Sequence, residues 1–232
     1  MSKNFGQLKS AIAQWLIVDS EDTAERLPSA ICGDLINWTI KSYCRNRESR
    51  FGEDSDYFST VALTRDYDEP SNFSKPKKFY YISPDSGKVV ILDYLDKDKF
   101  DATYPGSALY ATGAPALIAG VDSSLIIDDP SAYTLWDGKI ILGKVPDRVL
   151  TIFRDFYAIP ADLADDTDTN RMTLAADDYI LFKSLAGAAI FGIEDERIPM
   201  WAGVAAKLEA EIDSEDSRRK QTGRIPQSRE PG

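Results

Sequence analysis

The sequence predicts an α+β protein: a four-helix bundle with a β-rich domain inserted between helices 2 and 3, plus an extended C-terminal arm. Three observations carry that prediction. Apolar residues recur at helical spacing in both end regions, strand-like runs separated by turn signals fill the middle, and a basic segment closes the chain. With 232 residues, 43% hydrophobic and 28% charged, there is enough chain for one large domain or two small ones around a real core.

Phe5, Leu8, Ile12 and Trp15/Leu16 stand three and four apart and leave Gln7, Lys9 and Gln14 outside, which is a short amphipathic helix. A polar run from Asp19 to Thr23 interrupts it. Pro28 suits the first turn of a second helix, where Ile31, Leu35, Trp38/Thr39 and Ser42/Tyr43 continue one face to about Arg47. The short connection predicts an antiparallel pair. From about residue 60 the period changes. Residues 79–83 and 88–93 flank Pro84-Asp85-Ser86-Gly87 as a hairpin, and Ser124–Ile127 reads as a short strand. Asp137-Gly138, between Tyr133–Trp136 and Lys139–Leu142, is the pair a type I′ turn demands. Val149–Ala158 reads as a long strand with Leu150, Ile152, Arg154 and Phe156 on one side.

Helical spacing returns with Leu174, Leu181, Leu185 and Ala188/Ala189, capped by Asn170 or Thr173. A fourth helix carries Trp201, Val204, Leu208 and Ile212 after Ile198-Pro199. The expected divisions are a discontinuous helical bundle of residues 1–59 and 159–217, a β-rich insert of residues 60–158, and a basic arm of residues 218–232.

What the chain lacks excludes several chemistries. It has no histidine, which removes Ser-His-Asp and Cys-His catalysis and His-ligated metals. Two cysteines, Cys32 and Cys44, are too few for thiolate zinc or iron–sulfur sites and read as buried or half-buried thiols of a reducing compartment. No stretch approaches 18 apolar residues, so no bilayer span is expected, and no secretory signal is evident. Cofactors and metals are expected to be absent.

Charge is unevenly placed. The net charge is −11, which argues against free-standing binding of DNA or anionic lipid. Residues 161–217 carry 14 acidic and 4 basic side chains, whereas residues 218–232 carry Arg218, Arg219, Lys220, Arg224 and Arg229 against Glu230 alone. A basic segment behind an acidic block is a candidate docking arm.

Asp162, Asp165, Asp166 and Asp168 lack the glycine and terminal glutamate of an EF-hand loop and read as an acidic linker. Asp177-Asp178 and Glu194-Asp195-Glu196 supply carboxylates but no spacing that defines an acid/base pair. Lys75, Lys77 and Lys78 beside Phe79-Tyr80-Tyr81 read as guards of a strand edge in an acidic segment, not as a nucleic-acid strand. Gly113-Ala114-Pro115 and Gly120 form no phosphate loop. Tyr104, Tyr110 and Pro115 belong to a tyrosine-containing loop suited to protein contact.

The order of elements resembles a known family. Asp34-Leu35-Ile36-Asn37-Trp38 stands in the second helix, Phe100–Pro105, Gly113-Ala114-Pro115, Asp137–Ile140 and Pro146-Asp147 follow, and Val149–Ile152 leads to Phe156–Leu163 with its Tyr157-x-x-Pro160-x-x-Leu163 turn and Asn170. Over most of residues 1–217 this is similar to the head-to-tail adaptor (connector) proteins of tailed bacteriophages, which dock beneath the portal ring. The resemblance implies a non-enzymatic virion protein assembled in the host cytoplasm, in a ring of twelve copies that extends the DNA channel. Its partners would be itself, the portal protein, a tail or nozzle protein, and double-stranded DNA passing without sequence-specific binding; no membrane is implied. On this reading Arg218, Arg219, Lys220, Arg224 and Ile225 form the portal-docking arm. Asp162, Asp165, Asp166, Glu194, Asp195 and Glu196 are candidates for the channel wall, where negative charge would keep phosphates from sticking. Tyr104, Tyr110 and Pro115 are candidates for the tail-protein contact. The competing readings are a carboxylate-based enzyme acting on polysaccharide and a host- or ligand-binding virion module.

Overall fold

A computed structural model describes residues 2–16, 29–104, 127–191 and 195–222. In chain order the helices are α1 (Phe5–Leu16), α2 (Ser29–Asn46), α3 (Lys97–Thr103), α4 (Arg171–Ala175), α5 (Asp177–Gly187) and α6 (Ile198–Thr222). The strands are β1 (Glu53–Ser59), β2 (Asp66–Asp68), β3 (Phe73–Ile82), β4 (Val89–Tyr94), β5 (Ala132–Trp136), β6 (Lys139–Leu142) and β7 (Thr151–Ala158). Two compact units result: Met1–Gly52 with Ile159–Gly232, and Glu53–Ala158. The second begins at Glu53 because β1 pairs with β7 along its whole length. Strand β1 thus belongs with the β unit, although its sequence fell inside the expected helical part.

In the helical unit α1, α2, α5 and α6 bury one apolar face each. Leu8, Ile12, Ile36, Ile40, Ile180, Leu185 and Trp201 share its core. The expected third helix is two helices. At Ala176 the backbone leaves the helical region (φ −148°, ψ 39°), which breaks the register between α4 and α5. Leu174 therefore does not share the inward stripe of Leu181 and Leu185 and is 56% exposed. Of the expected pair Trp38/Thr39 on the inward face of α2, Thr39 points in beside Ile36, whereas Trp38 is exposed. Both expected cap residues act together. Asn170 accepts from the Met172 and Thr173 amides at 3.0 and 2.9 Å, and Thr173 Oγ1 accepts from the Asn170 amide at 2.8 Å, a reciprocal capping box.

Cys32 and Cys44 are free and buried on α2. Burial raises both thiol pKa values, that of Cys44 to about 11. At pH 8 such a thiol is ionised in about one molecule in a thousand, against about one in four for an exposed cysteine. Iodoacetamide should therefore label the folded protein at least 100-fold more slowly than the protein in denaturant, read by intact mass. Equal rates would place the thiols in water.

The β unit is a seven-stranded sheet in the order β1-β7-β3-β4-β5-β6-β2. Neighbours are antiparallel except β4 and β5. The sheet curls on itself. Phe58 of β1 and Tyr67 of β2, at opposite ends of the order, bring their ring centroids within 4.7 Å. Inside the curl lie Phe79, Tyr81, Leu92, Tyr133, Ile140, Leu142, Leu150 and Ile152.

The two expected turns are present. Asp137 and Gly138 both take positive φ (53° and 70°), the requirement that selects Asp-Gly there, and Gly87 (φ 66°) closes the β3–β4 hairpin. Strand β3 lies inside the sheet order, yet its first half pairs with β7 alone, since β4 joins only at Phe79–Ile82. Lys75, Pro76, Lys77 and Lys78 thus stand on a local open edge. Arg154 is on the inner face of β7 as the alternation predicts, and β7 sits between β1 and β3. Of the expected strand Ser124–Ile127 only Ile127 is described, and it makes a single bridge to Val145.

Candidate functional site

The charged end of α6 is the most elaborated polar region of the helical unit. Helix α6 has 25 residues, and at 1.5 Å per residue spans about 37 Å. Its apolar contacts, Trp201, Ala205 and Leu208, end at Ile212. Beyond that point polar groups from the end of α2 and the following residues hold it. Arg47 bridges Glu209 and Asp213, one turn apart. The Tyr43 hydroxyl donates to Asp213 at 3.1 Å, and burial together with the Asp213 carboxylate pushes that phenol above its ordinary range. Arg50 reaches Glu215 at 3.0 Å and Asp216 at 3.5 Å. Ser49 Oγ donates to the buried Asp216 at 2.9 Å. The Lys220 ammonium donates to the Glu48 carbonyl at 2.9 Å. The two guanidinium groups also lie over rings, Arg47 on Tyr43 at 5.3 Å and Arg50 on Phe51 at 4.9 Å.

This clamp was absent from the sequence reading. A signal existed in the spacing: Glu209, Asp213 and Asp216 stand four and three apart, on one helical face. The expected arm begins as helix, because α6 continues to Thr222 and includes Arg218, Arg219 and Lys220. Positive charge in a last turn complements the helix dipole. Arg218 also donates to Ser214 at 3.5 Å. Arg224 and Ile225 lie outside the described residues.

The expected channel-facing acids do not form one cluster of free charge. Asp162 pairs with Lys41 at 2.6 Å, and Asp166 with Lys9 at 2.5 Å. Asp195 is held by Arg197 at 2.6 Å, which keeps its carboxyl below the usual range. Asp165 and Glu196 are exposed, and Glu194 lies outside the described residues. Asp168 is a local brace. It accepts from the Ala164 and Asp165 amides at 2.8 and 2.9 Å, and these bonds hold its pKa down. The linker also fastens α1, since the Phe5 and Gly6 amides donate to the Asp168 and Asp166 carbonyls at 3.0 and 2.9 Å.

Of the expected contact loop, only Tyr104 is described. Its ring packs against Phe100 at 5.3 Å and beside Gly143, where any Cβ would come within 2.7 Å of it. Its hydroxyl is 3.2 Å from Ser131 Oγ. Tyr104 therefore braces α3 against the β unit. Tyr110 and Pro115 lie outside the described residues.

Among the described residues no group of three His, Cys, Asp or Glu side chains could hold a metal ion, and no helix is long and apolar enough to cross a membrane. The family model described as SU10 adaptor protein matches residues 3–228, and the chain belongs to that family. No curated protein matches the chain. Membership makes this a non-enzymatic head-to-tail adaptor of a virion, acting between portal and tail components, and sets aside the polysaccharide-enzyme reading.

Proposed function

We propose that the protein assembles as a ring of twelve copies beneath the portal, with the segment from Arg218 to Gly232 reaching the portal and the ring continuing the path of double-stranded DNA. The clamp on α6 carries this reading. It ties the helix to residues 43–50 up to Lys220, so that the basic segment leaves the bundle from a defined point. A cationic segment tethered at a defined point adds encounter rate and register to docking on an acidic surface. Arg218, Arg219, Lys220, Arg224 and Ile225 are its proposed contacts. Ring closure needs two different faces per subunit, a heterologous interface that closes. Asp165 and Glu196 are the acids of the set best suited to a DNA-facing wall, because Asp162, Asp166 and Asp195 are partnered within the chain. Assembly in the host cytoplasm completes the proposal.

Deleting residues 218–232, and in a second variant only 223–232, tests the arm. Both truncated proteins should keep the thermal transition of the bundle, the first losing only the last turn of α6, and both should lose at least tenfold in attachment to purified portal rings, measured by co-sedimentation. Attachment should also weaken as salt rises. Undiminished attachment of both proteins would remove the arm assignment.

A further inference from the structure

The outer face of the curled sheet carries an uncovered apolar band. Strand pairing puts Tyr57, Phe153, Tyr80 and Ile91 side by side across four adjacent strands, β1, β7, β3 and β4. Ile82 and Val89, paired with each other one pleat along, widen it. Tyr57, Ile82, Val89 and Ile91 are 67%, 53%, 55% and 56% exposed. The rings are ordered among themselves: Tyr80 stacks on Phe153 at 5.3 Å and 18°. The adjoining row, two residues along the strands, is polar, with Lys78 opposite Asp155 and the Lys78 ammonium 4.5 Å from the Tyr80 ring.

An antiparallel sheet with one face in water normally alternates apolar and polar residues. Here Val89-Val90-Ile91-Leu92 and Phe79-Tyr80-Tyr81-Ile82 are continuous apolar runs, the pattern of strands covered on both faces. Among the described residues only the inner face is covered: Phe79, Tyr81 and Leu92 are buried, while their outward neighbours are exposed or half-buried.

We infer that this band is the docking face for a tail-side protein assembly that presents aliphatic or aromatic side chains once per adaptor subunit. The inference rests on the ring reading above. The size of the band selects the occupant. From strand spacing and rise its six positions cover roughly 200 Å², about a quarter of the roughly 800 Å² per partner in a stable pairwise interface. A band of this size is too small to hold a second copy of the chain by itself. Repeated around a ring and met by a multi-copy partner, it gains from effective concentration what it lacks in area. The portal contact differs in chemistry, being assigned to the basic end of α6.

The test replaces Tyr57, Ile82, Val89 and Ile91 together by threonine, which keeps strand propensity. Heads carrying the variant adaptor are mixed with tail complexes from the same virion. The variant should attach to portal rings within twofold of wild type, while its heads capture tails at least tenfold less. Normal tail capture by the variant overturns the inference. So does a folded variant that no longer assembles on the portal, since the face would then lie between copies. Should the fourfold variant not fold, Ile91→Thr alone should lower capture about threefold, and unchanged capture counts against the proposal. The truncations at 218 and 223 read portal attachment alone, so failure of the arm reading remains separate from failure of this one.

Discussion

Asp56→Ala should destabilise the β unit by about 3 kcal/mol, and the cost should vanish when Arg154 is replaced as well. Arg154 has a side chain only 7% exposed. It projects inward from β7, directly opposite Asp56 on β1 and Phe79 on β3. Both Asp56 oxygens accept from it, at 2.6 Å from Nε and 2.5 Å from Nη2. The Asp68 carbonyl takes a third bond at 3.1 Å, and the Phe58 ring lies 4.8 Å away. The guanidinium thus ties β1, β7 and β2 together where the sheet curls. Removing the carboxylate leaves a buried cation with one carbonyl and a ring for partners. Replacing the whole pair, as in Asp56→Val with Arg154→Met, removes the desolvation cost together with the attraction, and such exchanges are commonly neutral or stabilising. The two units need not unfold together. The measurement is therefore hydrogen exchange of β7 peptides across a urea series. Asp56→Ala should speed exchange roughly 100-fold, and the double variant should return it to near the wild-type rate. Equal behaviour of the single and double variants would mean that the pair is not coupled.

Local chemistry was legible in the sequence and long-range pairing was not. Asp137-Gly138 and Gly87 announced their turns because positive φ excludes most residues. The helix positions of Leu8, Ile12, Leu185 and Trp201 followed from spacing alone. The joining of β1 to β7 did not, because partners such as Asp56 and Arg154 lie 98 residues apart and nothing local encodes the pairing. The acidic linker shows the same limit. Asp162 and Asp166 looked like free negative charge, and the lysines that neutralise them, Lys41 and Lys9, come from α2 and α1. Leu174 was misplaced for a different reason. A periodic pattern fixes a stripe only while the helix is unbroken, and for Leu174 the interruption at Ala176 resets it.

Arg47→Ala combined with Arg50→Ala should free the last ten residues of α6 while leaving the rest of the bundle in place. Trp201, fully buried, and Ala205 anchor the first half of the helix through apolar contact, which the substitutions do not touch. The second half has no such anchor. Glu209, Asp213, Glu215 and Asp216 face two arginines, a serine and a tyrosine. Without the arginines, six or seven of α6's side chains within three turns carry charge of mixed sign with little to pack against. Amide exchange over residues 213–222 should rise at least tenfold, with exchange over 198–208 unchanged. The arginines are a fifth to a third exposed at the side chain, so each pair contributes about 0.5–1 kcal/mol and weakens with salt. A double-mutant cycle of Arg47→Ala and Asp213→Ala should accordingly give a coupling of about 1 kcal/mol at low salt and less at 0.5 M. In portal attachment the arginine variant should behave as an adaptor whose basic segment is intact but no longer aimed: association slows several-fold, and the bound complex, once formed, dissociates at the wild-type rate. Unchanged exchange over 213–222 would show that the clamp does not hold the helix, and a loss confined to dissociation would show that the arginines touch the portal themselves.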